Sequence, residues 1–335
     1  MLSVYKKRMY PSLILLSLYE VIELDINILV VKVKKLEFLG VLLPIFGIFV
    51  LGFIGQKKFH LEPKAISTVS VYLMSPFLVF RTFYTTEFNT DYLFLIFFTF
   101  ILCISLVLIV YIVSFIRSYS RTETCSLILA SAFMNNGNYG TPVVFLLFGA
   151  VGLDYAIVLM VGQQLVMCTI GIYYAAKGSP EGNGIQSALR AVRRMPIVYG
   201  AIAGWLFHFF HIPLSKPIME AISLVADAAI PTVMLVLGMQ LATISLRKMK
   251  VRRISLALFL KLAISPTIAF LLTLILPVDE VIKQIMIIVA AMPSAANTTM
   301  YALQFDTAPE FVSSVTFIST LLSLVTLPIV FLILL

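Results

Sequence analysis

Charge is what this sequence has least of. Asp, Glu, Lys and Arg make up 12% of the 335 residues, about half the share of an ordinary soluble domain. That excludes a water-soluble globular fold. Cysteine and histidine are also scarce. Cys103, Cys125 and Cys168 lie far apart in or beside apolar runs, so no disulfide framework or metal centre is expected. His60, His208 and His211 form no HExxH pattern. No GxxxxGK[ST] segment is present, which argues against direct ATP use. No cofactor is expected. With neither a metal-ligand cluster nor a nucleophile–base pair in view, an intramembrane enzyme is disfavoured.

What is there is hydrophobic. Apolar residues make up 61% of the chain and mean hydropathy is +1.04. Most long apolar runs approach the roughly 20 residues that cross a bilayer as a helix. The fold class is an all-α polytopic membrane protein. About ten spans are expected, near 38–56, 66–85, 92–115, 124–149, 153–175, 196–213, 217–243, 254–276, 281–304 and 310–334. Residues 1–37 stand apart as an N-terminal extension. Lys6, Lys7 and Arg8 precede an apolar run that Glu20, Glu23 and Asp25 interrupt, too acidic for a span or a signal-peptide core. An interfacial helix and an upstream start codon outside the functional protein both fit.

The net charge of +8 is a topology signal. Alternate loops hold Lys57, Lys58 and Lys64; Arg117 and Arg121; Lys177, Arg190, Arg193 and Arg194; and Arg247, Lys248, Lys250, Arg252 and Arg253. The opposite loops hold Lys216 and Lys283. Basic loops stay in the cytoplasm, so the core is expected to start and end outside the cell membrane. The excess charge faces anionic lipid heads rather than nucleic acid.

The linker 177–195, rich in Gly, Ser and Pro, separates two halves, 38–176 and 196–335. Five spans per half give the halves opposite orientation. A weak repeat agrees: Pro44 and Gly52 match Pro196 and Gly204, His60 matches His211, and Pro76 matches Pro231. Spans 4 and 9 are each interrupted. Asn135-Asn136-Gly137-Asn138-Tyr139-Gly140-Thr141-Pro142 breaks the first, with Thr141 as N-cap and Pro142 at the first helical position. Pro293-Ser294-Ala295-Ala296-Asn297 breaks the second. Interrupted helices at matching places in inverted repeats point to a secondary transporter site.

The run at 135–142, the second break at 293–297 and the ten-span layout resemble the auxin efflux carrier family, including its bacterial malate-permease-like members. The resemblance covers about residue 37 to the end. It implies two inverted five-helix repeats whose broken fourth and ninth helices cross near mid-membrane. It also implies transport of small organic anions by alternating access, and a homodimer. A carboxylate is then expected at the crossing, bound by Asn135, Asn136, Asn138 and Asn297, with Gly137, Gly140, Pro142, Pro293 and Ser294 shaping it. The alternative is that these asparagines only cap the broken ends.

Few charges fall within spans. Asp227 and Lys261 are candidates for proton or sodium coupling, as partners of one another; the alternatives are an interhelical hydrogen bond and snorkelling. Arg81 is expected at the outer interface. Gln163 and Gln164 read as interhelical hydrogen-bonding groups that could reach the cavity. Competing functions are a sensor that keeps the transporter fold without transport, and a sodium/proton antiporter, which usually needs acids at the crossing.

Overall fold

A computed structural model of the protein describes residues 44, 46–86, 90–179, 196–243 and 251–334. The extension 1–37, most of the linker 177–195 and several basic loop residues lie outside the described residues. Everything below concerns the unit that begins at Ile45. Among the described residues the structure is helical, with one isolated β-bridge.

Among the described residues, six helices are long and apolar enough to cross a membrane: Ala65–Thr85, Thr90–Ile116, Asn136–Gly178, Lys216–Gln240, Val251–Thr273 and Pro309–Leu334. The third of these is not straight. Gly149 takes φ 66° and ψ −153°, which a glycine adopts without Cβ strain. Beyond it the chain folds back: a Cβ built on Gly137 would lie 3.5 Å from Met160 Sδ. A straight helix would hold these two residues about 35 Å apart. The helices are therefore named α1 (46–59), α2 (63–85), α3 (Thr90–Ile116), α4 (Arg121–Ser131), α5 (136–148), α6 (150–178), α7 (Pro196–Phe209), α8 (Lys216–Thr243), α9 (251–273), α10 (Glu280–Ala290), α11 (Ala296–Gln304) and α12 (Pro309–Leu334).

Three helices carry a π-helical turn directly before a hydroxyl residue and proline: Val69–Met74 before Ser75-Pro76, Asn136–Gly140 before Thr141-Pro142, and Leu260–Ile264 before Ser265-Pro266. Proline offers no amide hydrogen and its ring crowds the carbonyl one turn back. Widening the preceding turn relieves that clash without ending the helix. Ser75 Oγ donates to Ser70 O at 2.8 Å, and Thr141 Oγ1 donates to Asn136 O at 3.0 Å, closing the widened turns. Thr141 is thus a donor inside the helix and not the expected N-cap. The break lies at 132–135, ahead of most of the run 135–142 in which it is expected, and helix resumes at Asn136.

The helices pack as two groups. One contains α1, α2, α7 and α8; the other contains α3–α6 and α9–α12. In the first group, glycines let backbones touch. A Cβ on Gly52 of α1 would lie 2.1 Å from Leu235 O of α8, and one on Gly204 of α7 would lie 2.5 Å from Phe80 O of α2. Leu235 follows Pro231 by four residues, as Phe80 follows Pro76. His60 and His211, just past α1 and α7, both turn the chain with positive φ, 51° and 50°. In the second group, α3 and α6 run side by side in the same direction, with Tyr92 against Tyr155, Thr99 beside Gly162, and Tyr111 against Tyr174.

One end of the second group gathers basic side chains. Arg121 Nε donates to Lys177 O, and Arg253 Nη2 donates to Glu123 O at 2.6 Å. Arg253 also lies over the Phe311 ring, 4.2 Å from its centroid. Three residues assigned to one side by the sequence, Arg121, Lys177 and Arg253, thus gather at one end of the helices.

Candidate functional site

The two breaks meet back to back. Asn135 N donates to Pro293 O at 2.9 Å, and Ala295 N donates to Phe133 O at 3.1 Å. These bonds frame an antiparallel bridge between Met134 and Ser294. Each break therefore satisfies the other's backbone, which is what permits non-helical chain at membrane depth. Ser294 fastens the crossing further: its Oγ donates to Ala130 O at 2.5 Å, and its amide donates to Ser319 Oγ at 3.1 Å. Tyr139 anchors the other arm. It is fully buried, accepts a hydrogen bond from Ser323 Oγ at 3.0 Å, and meets Phe49 edge to face at 5.2 Å.

A cavity of about 50 Å³ opens at this crossing, between the two helical groups. Ser75, Leu78, Ile197, Ala229, Ile230 and Val233 line it from the first group. The second group supplies residues 134–138, Thr141, Met160, Gln163, Gln164, Met167, Ala295, Ala296 and Asn297. All four asparagines expected at the site, Asn135, Asn136, Asn138 and Asn297, are among the lining residues, as is Gly137. Gly140, Pro142, Pro293 and Ser294 are not among the lining residues; Pro293 and Ser294 take part in the bonds of the crossing itself. A Cβ on Gly140 would stand 3.3 Å from Met292 Cγ, which explains the small residue there.

The cavity's chemistry is neutral and rich in donors. No lining residue is Asp, Glu, Lys or Arg. Six carboxamides reach it, and three keep buried atoms without a hydrogen-bond partner among the described residues: Asn135 Nδ2, both polar atoms of Asn136, and both of Gln163. An orphaned buried polar group costs about 1–3 kcal/mol, so such a cluster is a strong sign of a place for a ligand or water. Helix ends add to it. Neither α5 nor α11 has a side-chain cap at its N-terminus, and both begin at the cavity wall. Asn136 N donates to Met134 O and Thr298 N to Ala295 O; the other first-turn amides and the positive end of the helix dipole favour an anion.

Gln163, read from the sequence chiefly as an interhelical hydrogen-bonding group that could reach the cavity, lines it with both polar atoms unpartnered among the described residues. Its neighbour Gln164 is engaged, donating to Cys168 Sγ at 3.3 Å.

The two charged candidates are not brought together. Asp227 pairs with Arg81, Nη1 to Oδ1 at 2.7 Å, with side chains 70% and 20% exposed. This pair joins α2 to α8 about one turn from Leu78 and Ile230 of the cavity wall. Lys261 is fully buried elsewhere, in α9, near Ser265 Oγ and Ala290 O. The expected Asp227–Lys261 partnership is therefore replaced by two separate arrangements, because equal depth in a membrane does not fix which way two side chains face. Neither residue lines the cavity. No group of His, Cys, Asp and Glu among the described residues is arranged to hold a metal ion.

Comparison with known proteins places these features. Residues 38–331 match the family model described as membrane transport protein. An uncharacterized transporter of Methanothermobacter thermautotrophicus is 32% identical over 214 residues, 63% of this chain and 68% of that protein. An uncharacterized transporter of Methanocaldococcus jannaschii is 25% identical over 88% of this chain and 94% of that protein. A Rhizobium meliloti protein provisionally named a malonate transporter is 26% identical over 87% of this chain and 93% of that protein. With a match that spans most of its length and a multi-pass helical fold, this chain belongs to the membrane transport protein family, the auxin efflux carrier family of transporters.

Proposed function

We propose that this protein is a secondary transporter that carries small organic anions, malonate or malate among them, across the cell membrane by alternating access. The observation that carries the reading is the cluster of unpaired carboxamide atoms on Asn135, Asn136 and Gln163, set between two uncapped helix starts in a cavity without acids. A carboxylate would accept from these donors and from first-turn amides of α5 and α11 other than those of Asn136 and Thr298, which donate to Met134 O and Ala295 O. Asn138 and Asn297, on the same wall, complete its contacts. Because the donors are neutral, no permanent charge holds the anion, and release on either side needs no ion pair to break. An acid-free cavity also speaks against sodium/proton antiport, which needs a carboxylate to carry the cation.

Residues 38–176 and 196–335 form two five-span repeats of opposite orientation in this reading, ten spans joined by the cytoplasmic linker 177–195, with the core ends outside. The matching contacts of Gly52 and Gly204, and the matching turns at His60 and His211, support it. The cavity lies where the two helical groups meet, so a movement of one group against the other would turn it from one side of the membrane to the other.

The test is uptake of radiolabelled malonate, malate and lactate into proteoliposomes, with and without proton and sodium gradients. Accumulation of a dicarboxylate above empty-liposome levels is expected. Absence of uptake for every acid, with protein correctly inserted, would favour the sensor reading.

A further inference from the structure

Lys261 has no part in the cavity, yet it is fully buried in a membrane-spanning helix. Such a charge is costly there and needs a purpose or a partner. Among the described residues no carboxylate pairs with it. Its Nζ instead donates to Ala290 O at 3.3 Å and to Ser265 Oγ at 3.5 Å, and Ser265 Oγ donates to the same carbonyl at 2.9 Å. Ala290 is the last residue of α10, the half-helix that stops at the crossing. Its carbonyl belongs to the set that a helix leaves unsatisfied, at the negative end of the dipole. In discontinuous transport helices, such ends hold the coupling cation.

The matching end of the other break is treated differently. Ala130, one residue before the end of α4, stands in relation to Met134 as Ala290 does to Ser294. Its carbonyl accepts the neutral hydroxyl of Ser294. Two corresponding half-helix ends therefore differ in the group that meets them, a serine hydroxyl at one and a covalently attached lysine amine at the other.

We infer that Lys261 is a tethered cation that occupies the cation position at the end of α10, so that the crossing holds its shape and moves its anion without a diffusible monovalent cation bound there. The inference rests on the crossing being the transport site, but its first test does not require transport. The π-helical turn Leu260–Ile264 widens α9 at this point, and Lys261 lies within it.

Replacing Lys261 by Ala removes three methylenes and the ammonium, a space that n-propylammonium fills. The full-length purified protein is melted in n-propylammonium chloride and in choline chloride at equal ionic strength. Lys261→Ala is expected to melt below wild type and to rise saturably, by about 2 °C or more, in n-propylammonium alone. Wild type and Lys261→Met, whose side chains already fill the space, are expected to respond to neither salt. An equal response of Lys261→Met, or none in Lys261→Ala, would overturn the inference. Wild type supplies an arm that needs no variant: saturable stabilisation by sodium over choline would reveal an empty cation site and also overturn it. In proteoliposomes, uptake by wild type is expected to be equal in sodium and choline. Failure of all uptake would refute the transport reading while leaving the melting result to stand.

Discussion

Gln163→Met separates a binding role from a packing role by the sign of two effects. The substitution keeps length and volume but removes two buried polar atoms that have no partner among the described residues. Relieving them should stabilise the empty protein. At about 1 kcal/mol, the lower end of the penalty for an unpaired buried group, the melting temperature should rise by about 2 °C. Binding should move the other way. A hydrogen bond to a charged acceptor is worth about 1.5–3 kcal/mol, so losing one should weaken malonate binding by a factor of about 10 to 150. The assay is a pair: thermal melting of the purified protein without substrate, and malonate uptake over a range of concentrations. A variant that melts lower while transporting with unchanged affinity would refute the reasoning, since Gln163 would then be a packing group.

Other substitutions test the frame around the site. Gly52→Ala places a Cβ 2.1 Å from Leu235 O, a backbone clash that must part α1 from α8; a loss of several degrees in melting temperature and lower yield are expected, whereas Gly47→Ala, with open space around it, should be neutral. Gly149→Ala forces a positive φ on a residue with a Cβ at the turn between α5 and α6, at about 1–2 kcal/mol, read by melting or protease sensitivity. Asp227→Asn breaks a pair whose acid is 70% exposed; a cost below about 1 kcal/mol and uptake within about twofold of wild type are expected, and loss of gradient dependence would instead make Asp227 the coupling group.

Much of the site was legible because it violates helix chemistry locally. Asparagine, glycine and proline crowd residues 135–142 and 293–297 in otherwise apolar runs; the structure places the breaks at 132–135 and 291–295, so the first overlaps its expected run only at Asn135 and the second covers Pro293 to Ala295. The four asparagines face one cavity, including the adjacent Asn135 and Asn136, because the backbone at the crossing is not a regular helix. What stayed hidden depends on direction and on long-range packing. Met160, read only as a packing residue, lines the cavity beside Gly137. Ser75 joins it through the π-helical turn before Pro76. Sequence gives the depth of Asp227, Arg81 and Lys261 but not the side of the helix each one faces, so the ion pair was assigned to the wrong cation. Thr141 looked like a cap because hydroxyl-proline pairs often begin helices, yet here the pair follows a widened turn within one.

The central claim is that an organic anion binds to the unpaired carboxamides at the crossing. Equilibrium binding of radiolabelled malonate to the purified protein, compared between wild type and Asn136→Leu, tests it most directly. Wild type should bind saturably, and the variant, of similar volume but without donors, should bind at least about tenfold more weakly. Equal affinity in a correctly folded Asn136→Leu protein would contradict the account.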